Sequence, residues 1–352
     1  MTTTTDTRWI ELEGAPPIPE LRARRFRDAD DYRLLTELMN TCSEADRIPW
    51  VQTPENLRIE LEGEDGIDTT SDIVIVEVDG GVVAAAQVWR AVREGRAMFE
   101  VSGHVLPAFR RRGIGRALLA ENLRRAAERA AIEPRGAPIQ IESFAEDLEV
   151  GHRAILAAAG FETVRHFFLM RVPSLEDVPD APLPEGIEVR PVTPEHHRMI
   201  FDAEAEAFRD HWGHREQGDD LFRTLYAKAE LDTSLWIVAW DGDEIAGVVQ
   251  NWIWPAENER LGVKRGWLER ISVRRPWRRR GLGRAITALS LRRLRDAGTE
   301  DAMLGVDSEN PTGALGLYES LGFEVHSSAA AYRRPLERGP RAAVDNVPGE
   351  GG

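Results

Sequence analysis

The chain has 352 residues, of which 42% are apolar and 30% charged, and its formal net charge is −15. Since a single hydrophobic core rarely grows beyond ~250 to 300 residues, this length predicts two domains. The acidic total argues against binding to nucleic acid, and no apolar run approaches the ~20 residues that a membrane span needs. Cys42 is the only cysteine, which excludes an internal disulfide, so we expect a cytoplasmic protein without nucleic-acid or membrane partners.

The first half of the chain follows a polar segment, residues 1–16, that lacks the layout of a secretory signal and predicts a disordered tail. Two β-rich runs around the Asp-Gly turn of residues 76–88 predict a hairpin. An arginine- and glycine-rich loop, LPAFRRRGIGRA, follows at 106–117, and the segment ILAAAGFETV stands at 155–164. These three segments are the landmarks of the first half.

The second half repeats the three landmarks in the same order, as VAWDGDEIAGVVQ at 238–250, RRPWRRRGLGRA at 274–285 and LYESLGFEVH at 317–326. Self-similarity at a nearly constant offset indicates a tandem duplication. The predicted organisation is a tail (1–16), a first domain (17–172), a Pro- and acid-rich linker (173–185), a second domain (186–338) and a Gly- and Pro-rich disordered tail (339–352).

The predicted elements of each half are strand, helix, helix, hairpin, strand, glycine loop, helix, strand, helix and strand. After the second glycine loop, apolar residues recur at helical spacing until Gly298, a residue type that ends helices. Asn310 is predicted to cap the start of the next helix, which stops at Gly322. This order predicts an α/β or α+β domain and not the regular alternation of a doubly wound sheet.

The second glycine loop joins a strand to a helix, and its residues suit an anion. The first turn of a helix has unpaired N–H groups and a partial positive charge. Gly281 and Gly283 lack the Cβ atoms that would keep a phosphate from the backbone, and the flanking guanidinium groups add charge-assisted hydrogen bonds. We therefore predict a pyrophosphate site, with a solvated helix start as the alternative.

Two other phosphate-binding motifs fail on the residues. A dinucleotide fingerprint needs a third glycine, but Ile286 stands there in the second half and Leu118 in the first. A Walker P-loop needs a Gly-Lys pair, which the chain lacks. The remaining pattern is [Q/R]-x-x-G-x-[G/A], which occurs in both halves.

Both halves resemble the GNAT superfamily of acyl-CoA-dependent N-acetyltransferases, whose members carry this pattern between a strand and a helix. The segment VDSENPTGALGLYESLGFE of the second half is similar to the closing segment of the family. The resemblance implies tandem GNAT folds, each a mixed central sheet flanked by helices, with acetyl-CoA as the co-substrate. The tandem arrangement is also similar to the mycothiol synthase family of double-GNAT proteins.

The resemblance implies roles for particular residues of the second half. Tyr318 would donate a proton to the departing thiolate, and Glu269 would act as the base, directly or through a water. The alternative for Tyr318 is a tyrosine that only packs within its helix, and the alternative for Glu269 is a surface ion pair. The residues expected to hold the cofactor are Ile271, Val273, Arg278, Arg279, Arg280, Gly281, Leu282, Gly283, Arg284 and Asn310, and in the first half Val105, Arg110, Gly113, Gly115 and Arg116.

The first half departs from the family pattern at the catalytic positions. Leu156 stands where Tyr318 does, Leu148 stands where Asn310 does, and Val101 occupies the position of Glu269, with Glu100 adjacent. Since leucine cannot donate a proton, we expect the first half to bind the cofactor through its loop without catalysing transfer.

The acceptor site is predicted from the segment that follows the first helix of the second half. Asp210 and Trp212 could hold an amine by charge and aromatic contact, and Asn251 at the end of the hairpin could line the same cleft. A solvated polar loop is the alternative. The two histidines nearby lack further ligands at matching spacing, so no metal is expected.

The sequence thus predicts an enzyme that transfers an acetyl group from acetyl-CoA to a primary amine of a small molecule, as a monomer or homodimer, with its chemistry in the second half. One alternative is acetylation of a glucosamine-inositol-cysteine conjugate, as the resemblance to mycothiol synthases implies. Another is an acyl-CoA-binding sensor without turnover.

Overall fold

The structure is a computed structural model that describes residues 9–63, 66–93, 95–134, 138–214, 217–310 and 313–339. The elements of the first half are β1 (Arg22–Arg25), α1 (Asp30–Ala45), α2 (Pro54–Gly63), α3 (Thr69–Asp72), β2 (Ile73–Val78), β3 (Gly81–Arg93), β4 (Arg96–Val105), α4 (Ile114–Ala130), β5 (Gln140–Glu146), α5 (Val150–Ala158) and β6 (Glu162–Val172).

The second half has a similar order of elements, but a 3-10 turn (Thr233–Leu235) stands in place of α3, and a further helix follows the hairpin. Its elements are β7 (Ile187–Val189), α6 (His197–Phe208), α7 (Asp219–Tyr226), β8 (Ile237–Asp241), β9 (Glu244–Trp252), α8 (Pro255–Leu261), β10 (Arg265–Val273), α9 (Leu282–Asp296), β11 (Asp301–Asp307), α10 (Ala314–Glu319) and β12 (Glu324–Pro335). The predicted helix that Asn310 was expected to cap begins instead at Ala314, after Gly313 in a left-handed conformation (φ 76°).

All these strands form one mixed sheet in the order β1-β2-β3-β4-β5-β12-β6-β11-β10-β9-β8-β7. The final strands of the two halves are exchanged, because β12 lies between β5 and β6, and β6 lies between β12 and β11. Ala330 at the centre of β12 pairs with Ala145 on one side and His166 on the other. The two halves are therefore joined through their sheets, which the sequence pattern did not predict.

Helices cover both faces of the sheet in each half. Ala126 of α4 and Leu156 of α5 pack on one face of the first half, and Leu35 of α1 and Leu57 of α2 pack on the other. In the second half, α9 and α10 share a core with the sheet on one face, and α6 packs on the opposite face. This arrangement agrees with the fold class that the sequence predicted.

The segments predicted as tail and linker are partly ordered. Ile10 forms a bridge with Ala23, and Leu12 is buried in the first core, so the tail prediction is wrong for residues 9–16, while residues 1–8 lie outside the described residues. In the segment 173–185, Leu175 and Ala181 are buried in the core formed with α9. At the other end, Gly339 donates to the Ala127 carbonyl (2.9 Å), and residues 340–352 are not among the described ones.

Each half contains a place where two parallel strands stop pairing. The pair β4–β5 is joined only over Met98–Glu100, although β4 continues to Val105. The pair β10–β11 is joined only over Arg265–Trp267, although β10 continues to Val273. The unpaired strand edges leave an opening in each half, directly beside the helix that follows the glycine loop.

Candidate active site

The two arginine-glycine loops have the same backbone conformation. Gly281 caps the start of α9 with φ 83°, and Gly113 caps α4 with φ 98°. Arg279 (φ 62°) and Arg111 (φ 60°) also lie in the left-handed region, two residues before each capping glycine. This conformation turns successive N–H groups toward one point at the positive end of the helix, which is the geometry of an anion site.

Arg278 and Arg110 were predicted to bind the cofactor, but their side chains are used within the protein. The Nε atom of Arg278 donates to the Val273 carbonyl (2.9 Å), and its guanidinium also pairs with Asp210 (2.7 Å). Arg110 repeats these contacts with the Val105 carbonyl (3.0 Å) and Asp46 (2.6 Å). These contacts orient both guanidinium groups toward the end of the strand and leave Arg279 and Arg280, which are exposed, as the loop cations available to a ligand.

The two glycines of each loop serve different purposes. A Cβ atom on Gly281 would contact nothing, so glycine is needed there for its positive φ. A Cβ atom on Gly283 would lie 3.3 Å from Leu317, and one on Gly115 would lie 3.1 Å from Ile155. The second glycine of each loop therefore allows the neighbouring helix to pack closely.

The remaining residues predicted to bind the cofactor differ in what their side chains contact. Leu282 is buried in the core, so only its backbone faces the loop. Arg284 donates to the Asp180 carbonyl (2.9 Å), whereas Arg116 is exposed at the matching position of the first half. Ile271 and Val273 lie on the part of β10 that pairs with β9 but no longer with β11, where their side chains pack on the core below α9.

Glu269, the predicted base, lies at a β-bulge where the register between β10 and β9 shifts between Leu268 and Arg270. The Nε1 atom of Trp254 donates a hydrogen bond to its carboxylate (3.2 Å). Glu269 is exposed to solvent, yet enough protein surrounds the carboxylate for desolvation to raise its pKa, against the opposing effects of Trp254, Lys228 and Arg270. A raised pKa suits a group that must accept a proton.

Tyr318, the predicted acid, is buried on α10 with 7% of its surface exposed and packs edge-on against Phe323. Burial raises the pKa of its hydroxyl, which keeps it protonated at neutral pH, as a proton donor must be. The backbone N–H of Asn310 donates to the Asp307 carbonyl (3.1 Å), and Asp307 pairs with Arg165 of the exchanged strand β6 (2.8 Å). The first half thus helps to hold the turn that carries Asn310.

The three side chains predicted to form the acceptor site all make contacts within the protein. Asp210 is held by Arg275 and Arg278, whose hydrogen bonds keep its pKa well below the usual range. The ring of Trp212 stacks on Arg333 of strand β12, with 4.2 Å between the ring centroid and the guanidinium carbon. Asn251 is buried, and its Nδ2 donates to the Leu235 carbonyl (2.7 Å). Each of the three side chains is thus already engaged within the protein.

A cavity of about 650 Å³, which the sequence did not predict, lies in the opening between β4 and β5. Its wall includes the glycine loop of the first half on one side and Ser143, Glu149 and His152 on the other. The thiol of Cys42 also lines it and donates to the Val105 carbonyl (3.3 Å), and burial raises the pKa of this thiol. A usable signal was His152, which precedes Leu156 by one helical turn and so lies on the same face of α5.

Within the described ranges, no three or more histidine, cysteine or acidic side chains are grouped as metal ligands would be. Among these residues, no helix combines the length and apolar character needed to cross a bilayer.

The glycine loop, the helix that starts in it and the opening between parallel strands occur twice in one chain, and comparison with known families explains why. Residues 197–323 match the model described as the Acetyltransferase (GNAT) family, and residues 69–161 match the model described as the Acetyltransferase (GNAT) domain. The chain belongs to the GNAT family and is an acyltransferase with two GNAT domains.

The chain is similar in sequence to individual proteins named as mycothiol acetyltransferases. The chain is 29% identical over 306 residues to a mycothiol acetyltransferase of Geodermatophilus obscurus, covering 84% of this chain and 92% of the relative. It is 33% identical over 236 residues to a mycothiol acetyltransferase of Salinispora arenicola, covering 65% of this chain and 71% of the relative.

Solved structures support the fold. A GCN5-related N-acetyltransferase from Sphaerobacter thermophilus superposes with a TM-score of 0.69 at 24% identity, over 92% of this chain and 98% of that one. A tandem GNAT protein from the clavulanic acid biosynthesis pathway superposes with a TM-score of 0.63 at 18% identity, over 92% of this chain and the whole of that one.

Proposed function

We propose that this protein transfers an acetyl group from acetyl-CoA to a primary amine of a small molecule, and that the transfer takes place in its second half. The observation that carries the proposal is the arrangement around the β10–β11 opening. Glu269 lies on β10 beside the opening, Tyr318 lies on the helix that follows β11, and the glycine loop leads directly into α9.

The donor fits the second half by charge and backbone geometry. A pyrophosphate would accept hydrogen bonds from the N–H groups at the start of α9, and the exposed Arg279 and Arg280 would neutralise its charge. The unpaired edge of β10 beyond Trp267 offers backbone groups to an extended amide-containing chain. Acetyl-CoA supplies a thioester whose acyl carbon an amine can attack.

The protein side chains then handle two protons. Glu269, with its raised pKa, accepts a proton from the ammonium group of the acceptor, so that the neutral amine can attack. As the new C–N bond forms and the C–S bond breaks, the Tyr318 hydroxyl donates its proton to the sulfur. The nitrogen then loses its second surplus proton, which returns to Tyr318 through solvent and replaces the proton given to the sulfur. Glu269 releases its own proton to solvent, which leaves an amide and a free thiol.

The acceptor class is supported by the relatives. Mycothiol acetyltransferases match this chain at 29–33% identity, which makes a cysteinyl amine on a glucosamine-inositol conjugate the first acceptor to test. Since Asp210, Trp212 and Asn251 are engaged within the protein, we place the acceptor next to Glu269 and the indole of Trp254.

The test is a panel of small amines assayed for CoA release from acetyl-CoA. Tyr318→Phe and Glu269→Gln should each lower amine-dependent turnover by about 100-fold or more while acetyl-CoA affinity is retained. Tyr32→Phe removes a hydroxyl that is hydrogen-bonded to Glu62 in the first half and serves as the matched control. If wild type binds acetyl-CoA but acetylates no amine, including the cysteinyl conjugate, a sensor without turnover is the better description.

A further inference from the structure

The cavity of the first half contains a group of polar side chains that the proposed transfer does not use. Ser143 Oγ lies 3.4 Å from His152 Nε2, and His152 Nδ1 lies 3.7 Å from a carboxylate oxygen of Glu149. An oxygen, an imidazole and a carboxylate in this order are the parts of a proton relay, in which the carboxylate orients the ring and stabilises its charged form. Such contacts are commonly long before a ligand binds.

These side chains meet where the strands β4 and β5 part. The last residue pair between the strands is Glu100 with Glu142, and Ser143 Oγ donates across the gap to the Val101 carbonyl (2.9 Å). His152 reaches this point from α5, on the face of the sheet that also carries α4 and the glycine loop. A thioester extended from the loop along the opening would therefore end near the imidazole.

The opposite face of the sheet is closed at this point by the protein itself. Arg93 donates to Glu100 (2.8 Å), Arg333 donates to Glu142, and both carboxylates are buried. The indole of Trp212 covers the guanidinium of Arg333 at 4.2 Å. These charged pairs and the indole occupy the face of the sheet opposite the cavity, which favours a nucleophile as small as water.

We propose that the first half is a second catalytic site, which cleaves the thioester of a short acyl-CoA with water as the nucleophile and His152 as the proton carrier. His152 Nε2 takes a proton from the water as the new C–O bond forms to the acyl carbon. The C–S bond then breaks, and the imidazolium gives the same proton to the departing sulfur. The products are a carboxylic acid, which ionises into solvent, and a free thiol.

The surroundings of His152 suit this role. Burial alone would raise the pKa of Glu149, but the nearby His152 and the hydrogen bond from the backbone N–H of Glu146 (2.8 Å) hold the pKa below its ordinary value, so the carboxylate is charged and can stabilise the imidazolium. Leu156, at the position of Tyr318, is buried and inert. The histidine one turn earlier on the same helix supplies the proton donor that the leucine cannot.

This inference rests on the proposed function only in that the loop around Gly113 holds an acyl-CoA. The experiment uses full-length protein carrying Tyr318→Phe and Glu269→Gln, so that the second half is disabled, and follows CoA release from acetyl-CoA without any amine. Release is measured by chromatography, because a thiol reagent would also react with Cys42 once that residue becomes accessible.

In this background we expect hydrolysis above the buffer rate, and His152→Gln should slow it by about 100-fold while the Kd for acetyl-CoA changes less than twofold. Added imidazole should restore part of the rate to His152→Ala, a result that a structural role would not give. Glu149→Gln should lower kcat by about tenfold without changing KM, as expected of a positioning residue. His166→Gln, the same substitution at an exposed position on β6, is the matched control and should leave the rate unchanged.

Three results would overturn the inference. Hydrolysis could be absent from the background variant, it could survive His152→Gln, or an acyl group could be found on Ser143 by mass spectrometry, which would replace water as the nucleophile. Amine-dependent transfer by the His152→Gln single variant reports on the second half alone, so failure of that proposal is recognised separately.

Discussion

The two halves of the molecule carry the same frame at their strand openings and different side chains within it. In both, an arginine braces the end of the strand to an aspartate at the end of the first helix, and a left-handed glycine starts the next helix. In the second half, Glu269 lies at a bulge in the pairing of β10 with β9. In the first half, the pairing of β4 with β3 continues past Val101 without a shift in register. The frame thus determines where a thioester would lie, and a few positions decide which chemistry is available there.

The largest effect is expected when the two halves are separated, because each sheet then loses strands that the other half supplies. Fragments 1–180 and 181–352 should each fail to show a cooperative unfolding transition, because β6 loses both of its neighbours and β5 and β11 become open edges. Co-expression of the fragments should restore a 1:1 complex, which gel filtration and circular dichroism would detect. Native-like unfolding of either fragment alone would show that the strand exchange is dispensable.

The next largest effect is expected from the two arginines that connect a strand end to an aspartate, Arg278 and Arg110. Arg278→Ala and Arg110→Ala should each lower the free energy of unfolding by ~2 to 3 kcal/mol, because a strand-end carbonyl and a carboxylate lose their partner. Arg279→Ala, one residue along and exposed, should change stability by less than about 0.5 kcal/mol but weaken acetyl-CoA binding. Urea unfolding and calorimetric titration measure the two quantities, and equal destabilisation by Arg278→Ala and Arg279→Ala would refute the assignment.

The glycines separate backbone conformation from packing. Gly281→Ala should cost about 1 to 2 kcal/mol of stability, because alanine disfavours the left-handed region. Gly283→Ala should be nearly neutral, since its Cβ would lie 3.3 Å from a terminal methyl of Leu317 and 3.7 Å from one of Val273, which small side-chain shifts relieve, and alanine favours the helix. Thermal unfolding of the pair tests this order, which would be wrong if Gly283→Ala were the more damaging change.

The smallest effect concerns pH. Glu269 must be ionised to accept a proton, so amine transfer should fall as pH drops through its pKa, which desolvation places above the ordinary carboxylate range. Trp254→Phe removes a hydrogen bond that lowers this pKa, so the acidic limb of kcat/KM should move to higher pH. Trp9→Phe is the control, and a downward or absent shift for Trp254→Phe would exclude Glu269 as the base.

Much of the fold was predictable because it depends on local signals. The Asp-Gly hairpins and the glycine loops are short patterns, and their repetition revealed the duplication. The strand exchange was hidden, because β6 and β12 look alike in pattern whichever half they join. The roles of Arg278 and Asp210 depend on a contact between residues 68 positions apart, which spacing along the chain cannot show. His152 was missed because the expected donor was a tyrosine one turn later.

The position of β6 has a consequence for synthesis of the protein. Both of its partners, β11 and β12, belong to the second half of the chain and leave the ribosome after it. The first half must therefore wait, with an apolar strand uncovered, until residue 335 has been translated. A nonsense mutation only slightly upstream of that residue would leave both halves incomplete, so the codons for β12 matter as much to the first domain as to the second.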